Sequence, residues 1–172
     1  MKFPMRFAVA IVSAVSALML VVPAATDVAD ATAAKGFDSC SKVTEPEAAS
    51  AIGTRVTAGV LGSATVEGGL ACVFYGPSAP KPRDPNVAQP DSVRVVVVKG
   101  SDALKWYNNY KSKVKVAAQP ISGYGDRAFF DGYASLSVMK GDYYIRIAVV
   151  PAAAPPSLKD EEKLAKEILP SL

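Results

Sequence analysis

The chain has 172 residues, half of them hydrophobic, with two cysteines, no histidine and 19 Lys and Arg against 16 Asp and Glu. That length supports one domain with a core of its own. A formal charge of +3, evenly mixed, argues against a nucleic-acid binder, which gathers its Lys and Arg into a stripe. The missing histidine removes His-based triads, HExxH zinc sites and the commonest general base near neutral pH.

Lys2 and Arg6 precede an apolar run over 7–22, and small residues cluster at Val22-Pro23-Ala24 and Ala31-Thr32-Ala33. This is the layout of an export signal with a small-residue cleavage site. Residues 1–33 are therefore expected to be a signal peptide and processed segment, and residues 37–172 a single α+β domain. Export implies a periplasmic or extracellular location, with no stable membrane span after cleavage. In an oxidising compartment Cys40 and Cys72 are expected to form a disulfide.

Thr44-Glu45-Pro46-Glu47 reads as a capping box opening a short helix that ends at Gly53. Residues 55–66 are β-branched but broken by Gly59 and Gly62, so one irregular strand or two short ones are expected. Gly68-Gly69 then turns into a strand over 70–75. Residues 76–90 hold five prolines, which forbid ladder or helix and predict a mobile surface loop or a partner-binding arm. Residues 92–99, SVRVVVVK, are apolar on both faces and predict a central, covered strand.

A helix is expected from Ser101, its N-cap, fading by Val116. Leu104, Tyr107 and Lys111 share one side of it and Ala103, Trp106 and Tyr110 another, and the aromatic stripe is read as core. Over 120–150 the period is two: Leu136 and Val138 alternate with Ser135 and Ser137, and Ile145, Ile147 and Val149 with Tyr144, Arg146 and Ala148. Asp131-Gly132 and Gly141-Asp142 supply the hairpin turns. A last helix after Ser157 presents Leu158, Ala165, Ile168, Leu169 and Leu172 to the sheet. The expected architecture is an antiparallel sheet of about five to six strands with three helices, mainly on one face, and one disulfide.

Motifs for chemistry are sparse. Gly123-Tyr124-Gly125-Asp126 lacks the GK[ST] and the following helix of a phosphate loop. Ser39–Lys42 and Ser78–Lys81 fit SxxK without a helix start or a Lys-Thr-Gly. No metal cluster or cofactor motif stands out. Arg94 and Arg146 fall opposite the main apolar faces of the two strongest strands, and Tyr144 shares that side. Arg94, Tyr144 and Arg146 are thus candidate binding residues on a partly open basic and aromatic surface, together with Tyr124 and Asp126 of the glycine-rich loop. Such a surface suits a small anionic or amphipathic ligand, or an envelope protein.

Cys40, the segment 47–53 (EAASAIG), Cys72-Val-Phe-Tyr, Gly123-Tyr-Gly-Asp126-Arg-Ala128-Phe, Met139-Lys-Gly141-Asp and the Leu164-Ala165 helix, taken together, resemble small exported or lipid-anchored bacterial domains of unknown function, of actinobacterial type. The resemblance covers 37–172 and implies an α+β domain with a disulfide and no activity. Here the lipid-attachment cysteine after the leader is missing. The expected function is a non-enzymatic exported binding or accessory module of the cell envelope. The alternatives are a histidine-free hydrolase or transferase using Asp126, Asp131 or Lys140, and a structural envelope protein.

Overall fold

Seven antiparallel strands form one sheet in a computed structural model that describes residues 36–172. The export leader expected over 1–33 lies outside the described residues. Strands β1 (Val60–Ala64), β2 (Gly69–Tyr75) and β3 (Ser92–Lys99) form a meander. Strands β4 (Gln119–Ile121), β5 (Arg127–Phe130), β6 (Ser135–Lys140) and β7 (Tyr143–Val150) form a second. The second meander returns so that β7 pairs with β3, giving the order β1-β2-β3-β7-β6-β5-β4. The irregular strand expected over 55–66 is the short β1, and one strand exceeds expectation: β4, which carries Pro120, forms the far edge, where a missing N–H costs no ladder bond.

Helices cover both faces. Helix α1 (Glu45–Ile52) and helix α3 (Leu158–Ile168) pack on the face of Cys72, Phe74, Val93, Val95, Val97, Leu136, Val138, Ile145, Ile147 and Val149. Helix α2 (Ala103–Lys113) covers the opposite face through Ala103, Tyr107 and Tyr110. Tyr107 meets Phe129 and Tyr144 edge-on, with centroids 5.2 and 5.8 Å apart, so the aromatic side of α2 is core. β3 is buried on both sides because it has a helix layer above and below.

Local signals account for the ends of α1. Thr44 accepts from the Glu47 amide while Glu47 accepts from the Thr44 amide, and Gly53 closes the helix at φ 77°. The start of α2 differs from expectation: Asp102, not Ser101, is its N-cap, and neither Asp102 nor Ser157 of α3 caps with its side chain. Cys40 and Cys72 are bonded, with Cα atoms 4.9 Å apart, and tie the turn Ser39–Lys42 to β2. On the chain-entropy account, closing that loop contributes ~3–4 kcal/mol.

The proline-rich segment is a strap rather than a free loop. Arg94 donates to the Pro85 carbonyl at 2.8 Å and to the Asn86 carbonyl at 3.2 Å. Asn86 Oδ1 accepts from the Thr65 amide, and Asp91 accepts from the Ser78 amide. Pro85 also lies against Gly62, where a Cβ would come within 2.5 Å of the ring. The strap therefore crosses the β1 edge and roofs the α2 face at its open end.

Candidate functional site

In the β3–β7 register Arg94 stands opposite Ala148 and Arg146 opposite Val96. The two arginines are diagonal neighbours on the α2 face. Two like charges so placed need a counter-charge to be buried. Glu67 provides it. The turn after β1 is closed by the Glu67 and Gly68 amides bonding to the Ala64 carbonyl, and it folds Glu67 onto the sheet. The Glu67 carboxylate takes both ends of the Arg94 guanidinium, at 2.8 and 3.1 Å, and its Oε1 also accepts from Arg146 Nη1. Glu67 and Arg94 are fully enclosed, whereas Arg146 keeps 16% of its side-chain surface.

A second carboxylate completes the network. Asp131, at the β5–β6 turn, accepts at Oδ1 from the amides of Tyr133, Ala134 and Ser135, and at Oδ2 from the hydroxyls of Tyr110 and Ser135. Arg146 Nε donates to Ser135 Oγ at 2.9 Å, its Nη2 lies 3.6 Å from Asp131, and its guanidinium sits 3.9 Å from the Tyr110 ring centroid. Burial pushes the Glu67 carboxyl up, but pairing with Arg94 and the charge of Arg146 outweigh it and hold Glu67 below the ordinary value. Burial likewise pushes Asp131 up, but bonds from Ser135, Tyr110 and the turn amides outweigh it and hold this carboxyl below its ordinary value. Burial pushes the Tyr110 hydroxyl up to about 12. Near neutral pH the two arginines and two carboxylates cancel.

Above this network lies a cavity of about 370 Å³. Arg94, Arg146, Asp131 and Tyr110 lie on its polar side, Val66, Ala148 and Val150 on its apolar side, and Val87 and Pro90 of the strap at its mouth. Tyr133, 78% exposed, stands at the rim. Arg94 spends its Nε and both terminal nitrogens on Glu67 and the strap. Arg146 lines the cavity, and its Nη2, 3.6 Å from Asp131, makes no hydrogen bond among the described residues. Cavities of this size suit small molecules.

The residues singled out from sequence are divided by the fold. Arg94 and Arg146 come together here, but they do not form an open basic surface, because Glu67, Asp131 and α2 enclose and neutralise them. Tyr144 shares their face yet lies fully buried beneath α2, its hydroxyl without a partner among the described residues. Burial raises its pKa. Tyr124 and Asp126 lie elsewhere, in the β4–β5 loop, where Asp126 Oδ2 accepts from the Gly141 amide and its own amide donates to Met139. Asp126 and Asp131 sit at opposite ends of β5, and Lys140 bonds the Leu169 carbonyl. The three residues of the hydrolase alternative are thus not assembled into one cleft.

Glu67, Tyr110 and Ser135 were not among the candidate binding residues, and the strap was expected as a mobile loop or a partner-binding arm rather than as part of this network. The available signal was the pair of arginines itself, whose common face required a carboxylate. Among the described residues no group of His, Cys, Asp and Glu is arranged to hold a metal, and no helix is long and apolar enough to cross a membrane. No family model, curated protein or solved structure matches the chain.

Proposed function

We propose that the chain is an exported, non-enzymatic binding module of the cell envelope, holding a small amphipathic ligand in the cavity beneath the strap. One observation carries this reading: Arg146 lines a mostly apolar cavity, with no hydrogen bond at Nη2 among the described residues, while its charge is already balanced. A ligand acceptor, such as a carbonyl, gains a charge-assisted hydrogen bond there. A ligand anion would leave one net negative charge in an enclosed site, which favours the amphipathic, uncharged class over the anionic one. Catalysis is disfavoured by the same network. Asp131 has its lone pairs occupied by five donors, and Glu67 is engaged by both arginines, so neither is free to accept a proton from a substrate. The disulfide fits an oxidising compartment and supports export.

Native mass spectrometry of the protein purified from its own host tests the reading. A retained neutral adduct, lost when Ala134 is changed to Leu to fill the cavity, is the expected result. A bare polypeptide mass, with no thermal shift from a panel of uncharged amides and esters, would remove the support for a ligand.

A further inference from the structure

We infer that the cavity between the β4–β5 loop and the end of α3, apart from the arginine network, is a site for a phosphate group. This cavity, of about 450 Å³, is lined by Ser122, Gly123, Tyr124, Gly125, Lys140, Lys166, Leu169 and Pro170. Two ammonium groups line it and no carboxylate does. Neither lysine makes an ion pair among the described residues. Lys140 Nζ donates once, to the Leu169 carbonyl at 2.6 Å, which fixes the side chain at the cavity and leaves two of its three N–H groups over.

The loop supplies the second half of the site. Gly123 and Gly125 take φ of 89° and 56° on either side of Tyr124. Residues of opposite φ sign in succession are the backbone pattern from which anion-binding concavities are built. The amides of Ser122, Gly123, Tyr124 and Gly125 donate to no acceptor among the described residues, whereas the next amide, Asp126, is bonded to Met139. Gly125 has no room for a side chain, since a Cβ would lie 2.3 Å from the Met139 carbonyl oxygen. Asp126 holds the loop to the Gly141 turn, next to Lys140.

Free amides with two lysine point charges match a tetrahedral oxyanion better than a planar carboxylate, which favours the arginine fork. Tyr124, Leu169 and Pro170 give the adjoining part of the molecule an apolar bed. The group recognised is thus a phosphate ester, either on a free metabolite or on a lipid headgroup. It is not a nucleotide loop: the lysines come from β6 and α3, not from the loop's own sequence.

The test is a titration of ¹⁵N-labelled protein with glycerol 3-phosphate at constant ionic strength, with chloride as the control. The expected result is saturable shifts of the amides at 122–125, absent with chloride, and an affinity weakened by about tenfold in Lys166→Gln. Lys166 is exposed, so this variant keeps the fold even if Lys140→Gln loosens α3. Sedimentation with phosphatidylglycerol vesicles in phosphatidylcholine separates the sources. Co-sedimentation lost in Lys166→Gln assigns the headgroup, and soluble binding alone assigns a free ester. Shifts scattered over all lysines, or no saturation and no co-sedimentation, would overturn the site.

Discussion

Tyr110 carries Arg146 on its ring, 3.9 Å from the centroid, and with its hydroxyl holds Asp131 at 2.8 Å. One side chain from α2 thus supports two of the three charged groups that border the cavity, Arg146 and Asp131. Tyr110→Phe keeps the ring and removes the donor. It should cost ~1–2 kcal/mol in urea unfolding, the range for a buried acceptor losing one partner. Tyr110→Leu, which removes both contacts, should cost more. Equal stability of Tyr110→Phe and the parent would mean that the phenol does not hold the carboxylate.

Glu67 sets the charge balance of the α2 face. Glu67→Gln leaves Arg94 and Arg146 as diagonal like charges in an enclosed layer. Breaking a buried pair from one side costs roughly 3–5 kcal/mol. The loss should shrink when Arg146→Met is combined with it, because one of the stranded charges is then gone. A double variant as unstable as the sum of the singles would show that the charges are not coupled.

Trp106 sits on Gly68, where an added Cβ would fall 1.8 Å from the indole. Gly68 also has φ 76°, which costs an L-residue ~1–2 kcal/mol by itself. Gly53, at φ 77°, has nothing within 4 Å of such a Cβ and is the matched control. Gly53→Ala should lose only the conformational part. Gly68→Ala should lose that plus ~1–3 kcal/mol for the displaced ring. Trp106 is the single tryptophan, so its emission should move to the red in Gly68→Ala and stay put in Gly53→Ala.

These contacts show which parts of the molecule were legible in sequence. Thr44, Glu47 and Gly53 mark α1 because capping acts within one turn of chain. The alternation in β6 and β7 is legible because strand sides repeat every two residues. What misled was polarity. Arg94, Ser135, Ser137 and Arg146 read as an open face, but they lie under α2, where Arg94 pairs with Glu67 and the strap, Arg146 pairs with Glu67 and Ser135, and Ser137 Oγ has no partner among the described residues. Glu67 is separated from its two arginines by 27 and 79 residues, so only tertiary structure joins them. Glu161 was within reach: 161, 164, 165 and 168 share one helical side, and all four are buried.

Glu161 should make the protein less stable as pH rises. Its Oε1 accepts from the Val149 amide at 3.2 Å, and its Oε2 has no partner among the described residues. Burial pushes this carboxyl from 4.5 up to about 8, with the charges of Asp160 and Asp131 adding to the rise. The folded chain therefore holds a proton that the unfolded chain releases above 4.5. Its contribution is complete below 4.5 and is lost as pH climbs toward about 8, at ~1.4 kcal/mol per unit. Glu67 and Asp131 act in the opposite sense. Their folded pKa values lie below the ordinary 4.5 and 3.8, so their contribution is present above those values and lost as pH falls further. Stability should peak near pH 4.5 and fall on both sides. Glu161→Gln, neutral at every pH and the same shape, should flatten the upper limb, matching the parent at pH 4.5 and exceeding it at pH 8.5. Urea midpoints across that range decide it; parallel curves for parent and variant would show that Glu161 is ionised in the fold.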